Sequence, residues 1–222
     1  MEMFCFQCEQ TAGGKGCTKV GVCGKSPETS GLQDLILYGL QSVAVYANLA
    51  RGIGLKDEEV DVSTIEALFT TVTNVNFDEE RLSKMVAKTY EMKEKIKNIF
   101  LEAYKNKNGK EFSGKLPKIT EWKPSADLND MLNDASKVLI PVLYPNEDIK
   151  SLKELLKYGL KGMAAYADHA YILGEKDEEV TSFFYKALSA LADDSLDSEA
   201  LVKINMELGQ VNLKCMGLLD KA

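Results

Sequence analysis

The chain repeats itself. The segment Tyr38–Val60 recurs 120 residues later as Tyr158–Val180, with 13 of 23 positions identical. The register continues with one residue of slip, so that Asp78 and Leu82 correspond to Asp197 and Leu201. A duplication of this length means two copies of one supersecondary unit. Any fold for the chain has to build the same plan twice.

Each copy reads as three helices. The first starts near Ser30, where Gln33 completes a capping box. Its apolar residues Leu32, Leu35, Ile36, Leu40, Val43, Ala47 and Ala50 follow helical spacing, and Gly52 or Gly54 stops it. Asp57, or Ser63 with Glu66, opens the second helix. Asp78 caps the third, whose stripe is Leu82, Met85, Val86, Thr89, Ile96 and Ile99. Copy two repeats the pattern from about Asn146 to Gly174, Asp177 to Asp193 and Asp197 to Leu219. A further short helix is expected from Ser125 to Ser136. Short connections favour antiparallel neighbours. The expected fold is all-α: a cysteine-rich N-terminal loop (1–28), a three-helix bundle (29–103), a linker rich in Lys, Asn, Gly and Pro (104–145), and a second three-helix bundle (146–222).

Four of the five cysteines, Cys5, Cys8, Cys17 and Cys23, fall in the first 23 residues. Gly13, Gly14, Gly16, Gly21 and Gly24 let the backbone fold tightly around them and turn amide N–H groups toward sulfur. Four-Cys sets of this kind hold zinc or an iron–sulfur cluster. Only Cys5 and Cys8 form the close pair usual in structural zinc sites; the other gaps are wider, which favours a cluster. Zinc and a disulfide pair remain the alternatives. Lys15, Lys19 and Lys25 outnumber Glu9 in the loop, a local positive balance suited to an anionic cluster. Phe4 and Phe6 are placed to shield it from water.

Composition narrows the function classes. The 222 residues are 45 % hydrophobic and 27 % charged, with a formal net charge of −7. That is a globular balance, and the negative charge argues against nonspecific nucleic-acid binding. The basic stretch Lys105–Lys118 reads as solvated linker. No run of 18 apolar residues suggests a membrane span, and the N-terminus has no signal-peptide core. Five cysteines, an odd number with four of them clustered, fit a reducing cytoplasm better than a secreted disulfide scaffold.

The run Phe4-Cys5-Phe6-Gln7-Cys8-Glu9-Gln10-Thr11, with Gly16-Cys17 and Gly21-Val22-Cys23-Gly24-Lys25, resembles the N-terminus of the hybrid cluster proteins, also called prismane proteins or hydroxylamine reductases. Carbon monoxide dehydrogenases are related more distantly. The resemblance continues through Asp34–Leu40, Glu66–Thr71 and Ser151–Leu156 to Leu218–Ala222. It implies a 4Fe–4S cubane on Cys5, Cys8, Cys17 and Cys23. Family members are more than twice this length. Their second centre, a hybrid Fe–S–O cluster, takes a His, two Glu and four Cys from later domains, and it is not expected on this chain. The resemblance therefore implies an N-terminal domain, excised or separately encoded, with no catalytic residues of its own. Electrons would pass from an electron-donor protein, ferredoxin-like or rubredoxin-like, to a catalytic centre that reduces hydroxylamine. That centre would lie in the full-length enzyme or on a separate catalytic chain. The competing expectation is a non-redox binding module with a zinc staple.

Other chemistry-bearing residues read as structural. Asp57-Glu58-Glu59 and Asp177-Glu178-Glu179 are first-turn acids favoured by the helix dipole. A di-iron bundle would need Glu-x-x-His pairs that the single His169 cannot supply. His169 aligns with Leu49 and is expected to pack between helices. Cys215 reads as a small buried hydrophobe. Tyr38, Tyr46, Tyr158 and Tyr166 hold repeat-equivalent places and are expected to pack.

Overall fold

The computed structural model describes residues 3–138, 143–144 and 146–222. The expectations for residues 1–2 of the loop and for 139–142 and 145 of the linker lie outside these. The fold is all-α. The described residues form α1 (Pro27–Gly52), α2 (Glu58–Thr70), α3 (Glu79–Asn108), α4 (Leu128–Ala135), α5 (Glu147–Ile172), α6 (Glu178–Leu191) and α7 (Ser198–Lys221). Two 3₁₀ turns, Ala12–Gly14 and Lys118–Glu121, lie in the connecting segments.

Side-chain caps set the helix starts. Asp57, Asp78, Asn146, Asp177 and Asp197 each accept a bond from a backbone N–H of the first turn. Such a cap contributes about 1 kcal/mol. The start of α1 differs from the expected Ser30. Ser26 accepts from the Thr29 N–H at 2.9 Å and Pro27 occupies the first helical position, so the helix begins earlier and Ser30 is buried within it. α3 also runs farther than expected. It ends at Asn108, where Gly109 adopts φ +68°, so Lys105–Asn108 are helical.

The two copies interlock. α1 packs on α3 and α5 on α7, while α1 also lies against α6 and α2 against α5. The first helix of each copy thus rests on the second helix of the other. Leu32, Leu35, Ile36, Leu40 and Val43 of α1 share one apolar core with Phe183, Phe184, Leu188 and Leu191 of α6. Each fully buried side chain of this size contributes about 1.5–3 kcal/mol. Polar bonds fix the interlock. Asn48 donates to the Tyr185 carbonyl at 3.0 Å and to Ser189 Oγ at 2.8 Å. Tyr185 donates to Asp61 at 2.7 Å, and Arg51 pairs with Asp61 at 2.8 Å while covering the Tyr185 ring.

Candidate metal centre

The N-terminal loop is pinned at its middle. Cys5 and Cys17 face each other across an antiparallel bridge, with Cys5 N–H to Cys17 O at 3.0 Å and Cys17 N–H to Cys5 O at 2.9 Å. Thr11 ties the intervening turn down by donating to the Cys5 carbonyl at 3.1 Å, and its hydroxyl lies 3.8 Å from Cys17 Sγ. Gly16, at φ +151°, leaves room for Phe4: a Cβ there would sit 2.6 Å from the ring. The segment carrying Cys23 closes as a tight turn, with Gly24 N–H to Gly21 O and Gly21 N–H to Lys25 O, both 2.8 Å. A Cβ on Gly21 would press on Cys23 Sγ at 3.1 Å.

The backbone N–H groups of Gln7, near Cys5, and of Ala12 and Val22, near Cys17, act to lower the thiol pKa values. Burial would raise the Cys17 pKa, but these donors with the Thr11 hydroxyl and Lys25 outweigh it and hold the thiol below its ordinary value. At Cys5 burial wins and the thiol is pushed up, although Lys25, the Gln7 N–H and Lys161 oppose the rise. Cys8 and Cys23 are half-buried. Cys8 opens onto a groove of about 550 Å³ between the loop and α5, lined by Phe6, Thr11, Glu154, Leu155 and Tyr158 among others.

Beneath the loop lies a buried charge network. Lys25 is only 2 % exposed; its Nζ donates to Gln33 Oε1 at 2.6 Å and lies 4.0 Å from Cys5 Sγ. Gln7 donates to Glu154 at 2.9 Å, and Glu154 pairs with Lys157 at 2.6 Å. Asp34 Oδ2 is sealed from solvent and has no hydrogen-bond partner among the described residues. Burial raises the Asp34 pKa against the pull of Lys157 and Lys161. Lys161 donates to the Thr71 carbonyl at 3.1 Å; burial, with Lys157 and Lys25 nearby, holds its pKa well below the ordinary lysine range. Three buried lysines thus face two carboxyls under the cysteines, an environment that favours an anion above it.

Several expectations are corrected here. Of the loop lysines only Lys25 approaches sulfur, because Lys15 and Lys19 project into solvent. Phe6 is 43 % exposed and stacks loosely on half-buried Phe4, so it lines the groove instead of sealing the cysteines. His169 is exposed, bonded through Nδ1 to the Ala165 carbonyl and set edge-on to Phe69. The reading of Cys215 as a small buried side chain, by contrast, holds: it is fully buried on α7, with its Sγ 3.6 Å from the Met163 carbonyl and its pKa pushed up to about 11 by burial. Sequence reasoning missed the charge network. Its signal was present: Asp34 and Glu154 hold the same place in the two copies, and Lys153, Lys157 and Lys161 recur at helical spacing inside an apolar stripe.

Whether these residues fit a metal group turns on the donor set. Among the described residues, no three Cys, His, Asp or Glu side chains converge closely enough for a single ion. A zinc staple needs all its thiolates within about 2.3 Å of one ion; a cubane, with its irons at separate corners, takes ligands spread more widely. By the chemistry of the donors, soft thiols with a buried lysine 4.0 Å from Cys5 suit an anionic iron–sulfur group.

The Prismane/CO dehydrogenase family matches residues 3–222. The hydroxylamine reductase of Geobacter sulfurreducens is 48 % identical over 225 residues, covering 100 % of this chain and 40 % of its own length. That of Halothermothrix orenii is 46 % identical over 222 residues, again 40 % of its length. That of Nitratidesulfovibrio vulgaris is 40 % identical over 220 residues, 39 % of its length. The chain thus spans about two fifths of these relatives and corresponds to their N-terminal domain. With the family covering nearly every residue, the chain belongs to the Prismane/CO dehydrogenase family.

Proposed function

We propose that this chain is the electron-transfer domain of a hydroxylamine reductase-type protein, holding one 4Fe–4S cluster on Cys5, Cys8, Cys17 and Cys23. The observation that carries the reading is the Cys loop, closed by the Cys5–Cys17 bridge, seated on Lys25 with its Nζ 4.0 Å from Cys5 Sγ. Bound there, the cluster would supply one-electron redox chemistry. The rest is the work of the chain. The Cys5–Cys17 bridge and the Gly21–Lys25 turn hold the thiol-bearing segments in place. The N–H donors and Lys25 offset negative charge, which favours the reduced state. The groove beside Cys8 leaves the site accessible from one side.

Hydroxylamine reduction itself is assigned to a catalytic portion, on the same or a separate polypeptide. Outside the loop this sequence offers only Cys215 and His169 as soft ligands, on different helices and without a shared site. A reducing cytoplasm suits four thiols that are not joined in disulfides. Among the described residues no helix is long and apolar enough to cross a membrane.

Anaerobic purification followed by iron, sulfide and zinc analysis tests the reading. About four iron and four sulfide per chain, with a brown charge-transfer absorption, is expected. A colourless protein with one zinc per chain would establish the zinc staple in its place.

A further inference from the structure

The duplication allows each copy to be used as a control for the other, and one face differs between them. On α1 the register Leu35, Tyr38, Ser42 is covered: Leu35 is 0 % exposed and Tyr38 meets Trp122 edge-on at 5.7 Å. The cover is the chain that follows α3. It returns through the 3₁₀ turn Lys118–Glu121 and is held by Lys93 of α3, which donates to the Thr120 and Trp122 carbonyls at 3.3 and 3.0 Å.

The same register of α5 is bare. Leu155 is 55 % exposed and Tyr158 52 %, contrary to the packing role expected for Tyr158. On α7 the counterpart of Lys93 is Asn212, whose Oδ1 is buried without a hydrogen-bond partner among the described residues. Beside it runs an exposed apolar stripe, Val202, Met206, Leu213 and Met216. The equivalent α3 positions are Ser83, Ala87, Glu94 and Lys97. Copy two therefore presents an apolar seam and an unanswered polar atom where copy one has a covering segment and a lysine that holds it.

We propose that the α5–α7 seam is the docking face for a polypeptide corresponding to the C-terminal three fifths of the hydroxylamine reductases. The length of those relatives supplies an occupant, since the present chain accounts for 40 % of them. Copy one supplies the geometry: the chain after the third helix folds back across the first and third helices. A face that exposes four apolar residues where α3 is mostly polar is suited to a larger cover than the short segment over α1. The inference rests on family membership and on the repeat, and it holds whichever metal the cysteine loop binds.

Hydroxyl-radical footprinting tests it on two proteins: the 222-residue chain, and the same chain joined to the remaining three fifths of the Geobacter sulfurreducens relative. Cooperative thermal melting establishes that the joined protein is folded. In the chain alone, Leu155, Tyr158, Met206 and Leu213 are expected to oxidise rapidly at every protein concentration. In the joined protein they should oxidise several-fold more slowly, relative to exposed Val75. If the joined protein does not melt cooperatively, the aligned positions are footprinted in the intact Geobacter enzyme, with the same protection expected. Equal oxidation of Tyr158 and Leu213 in the short and long proteins would overturn the proposal. So would protection that appears only in the short chain at high concentration, because the seam would then bind a second copy.

Discussion

Three glycines on repeat-equivalent helices set up a test in which one substitution is expected to act with opposite signs. Gly39 of α1 and Gly159 of α5 occupy the same place in the two copies, at the crossing with the third helix. A Cβ on Gly39 would overlap Thr89 Oγ1 and sit 2.9 Å from both Thr89 Cβ and Trp122 Cζ3. Thr89 cannot swing away freely, because its hydroxyl is fully buried and donates to the Val86 carbonyl at 2.7 Å. A Cβ on Gly159 would overlap only Leu208 Cδ2, the end of a flexible side chain. Gly162 has nothing within 4 Å of the Cβ position. Replacing Gly by Ala in a helix gains about 1 kcal/mol of propensity, and forcing a methyl into a packed core costs about 1–3 kcal/mol. With tight contacts from both Thr89 and Trp122, Gly39→Ala belongs at or beyond the upper end of that cost and should destabilise by about 2 kcal/mol net. Gly159→Ala should fall between about 0 and 1 kcal/mol of destabilisation, and Gly162→Ala should stabilise by about 0.5–1 kcal/mol. At about 2–4 °C per kcal/mol for a chain of this size, the melting temperature should fall by about 4–8 °C for Gly39→Ala and rise by about 1–4 °C for Gly162→Ala. Thermal and urea unfolding followed by far-ultraviolet circular dichroism provide the measurement. Wild-type stability in Gly39→Ala, or a loss in Gly162→Ala, would refute the packing argument.

Lys25→Met should shift the reduction potential of the cluster-loaded protein negative while Lys19→Met leaves it unchanged; a unit charge at 4.0 Å interacts by on the order of 4 kcal/mol at an effective dielectric constant of about 20. Optical redox titration reads the shift, and equal potentials for the two variants would remove Lys25 from the site. Serine at Cys5, Cys8, Cys17 or Cys23 should lower iron per chain, whereas Cys215→Ser should retain it; loss of iron only in Cys215→Ser would reverse the ligand assignment. Removing iron should leave most of the helical circular dichroism, because the apolar core is built from helices and packed segments outside the loop; collapse to coil would show that the loop is part of the folding core. Stability should decline with acid. Lys95 beside Asp57 and Lys214 beside Asp177, together with the backbone N–H bonds, overcome desolvation and hold both carboxyls below the ordinary 3.8. The folded state then binds fewer protons than the unfolded one, so their contribution is complete above that value and is lost as pH falls through the folded pKa. Asp57→Ala should cost about 1 kcal/mol near neutrality and flatten this acid limb, a comparison made by urea unfolding at several pH values.

Local chemistry was legible in the sequence wherever one residue and its near neighbours decide the outcome. Asp57, Asp78, Asn146, Asp177 and Asp197 start helices because a side-chain oxygen satisfies an N–H two or three residues away, and the stripe from Leu32 to Ala50 declares its buried face by its spacing alone. The four cysteines announce a candidate site through their spacing, and the duplication announces a fold made twice. Only the tertiary structure decided how the copies interlock, because that depends on which faces meet across 90 or more residues of chain: Asn48 against Ser189, and Lys161 against Thr71. It also decided that Lys25, and neither Lys15 nor Lys19, lies under Cys5, and that Asp34, Glu154, Lys157 and Lys161 form the floor beneath the loop. The same register on a helix is core at Leu35 and surface at Leu155, because burial belongs to what packs against a residue and periodicity records only which residues share a face.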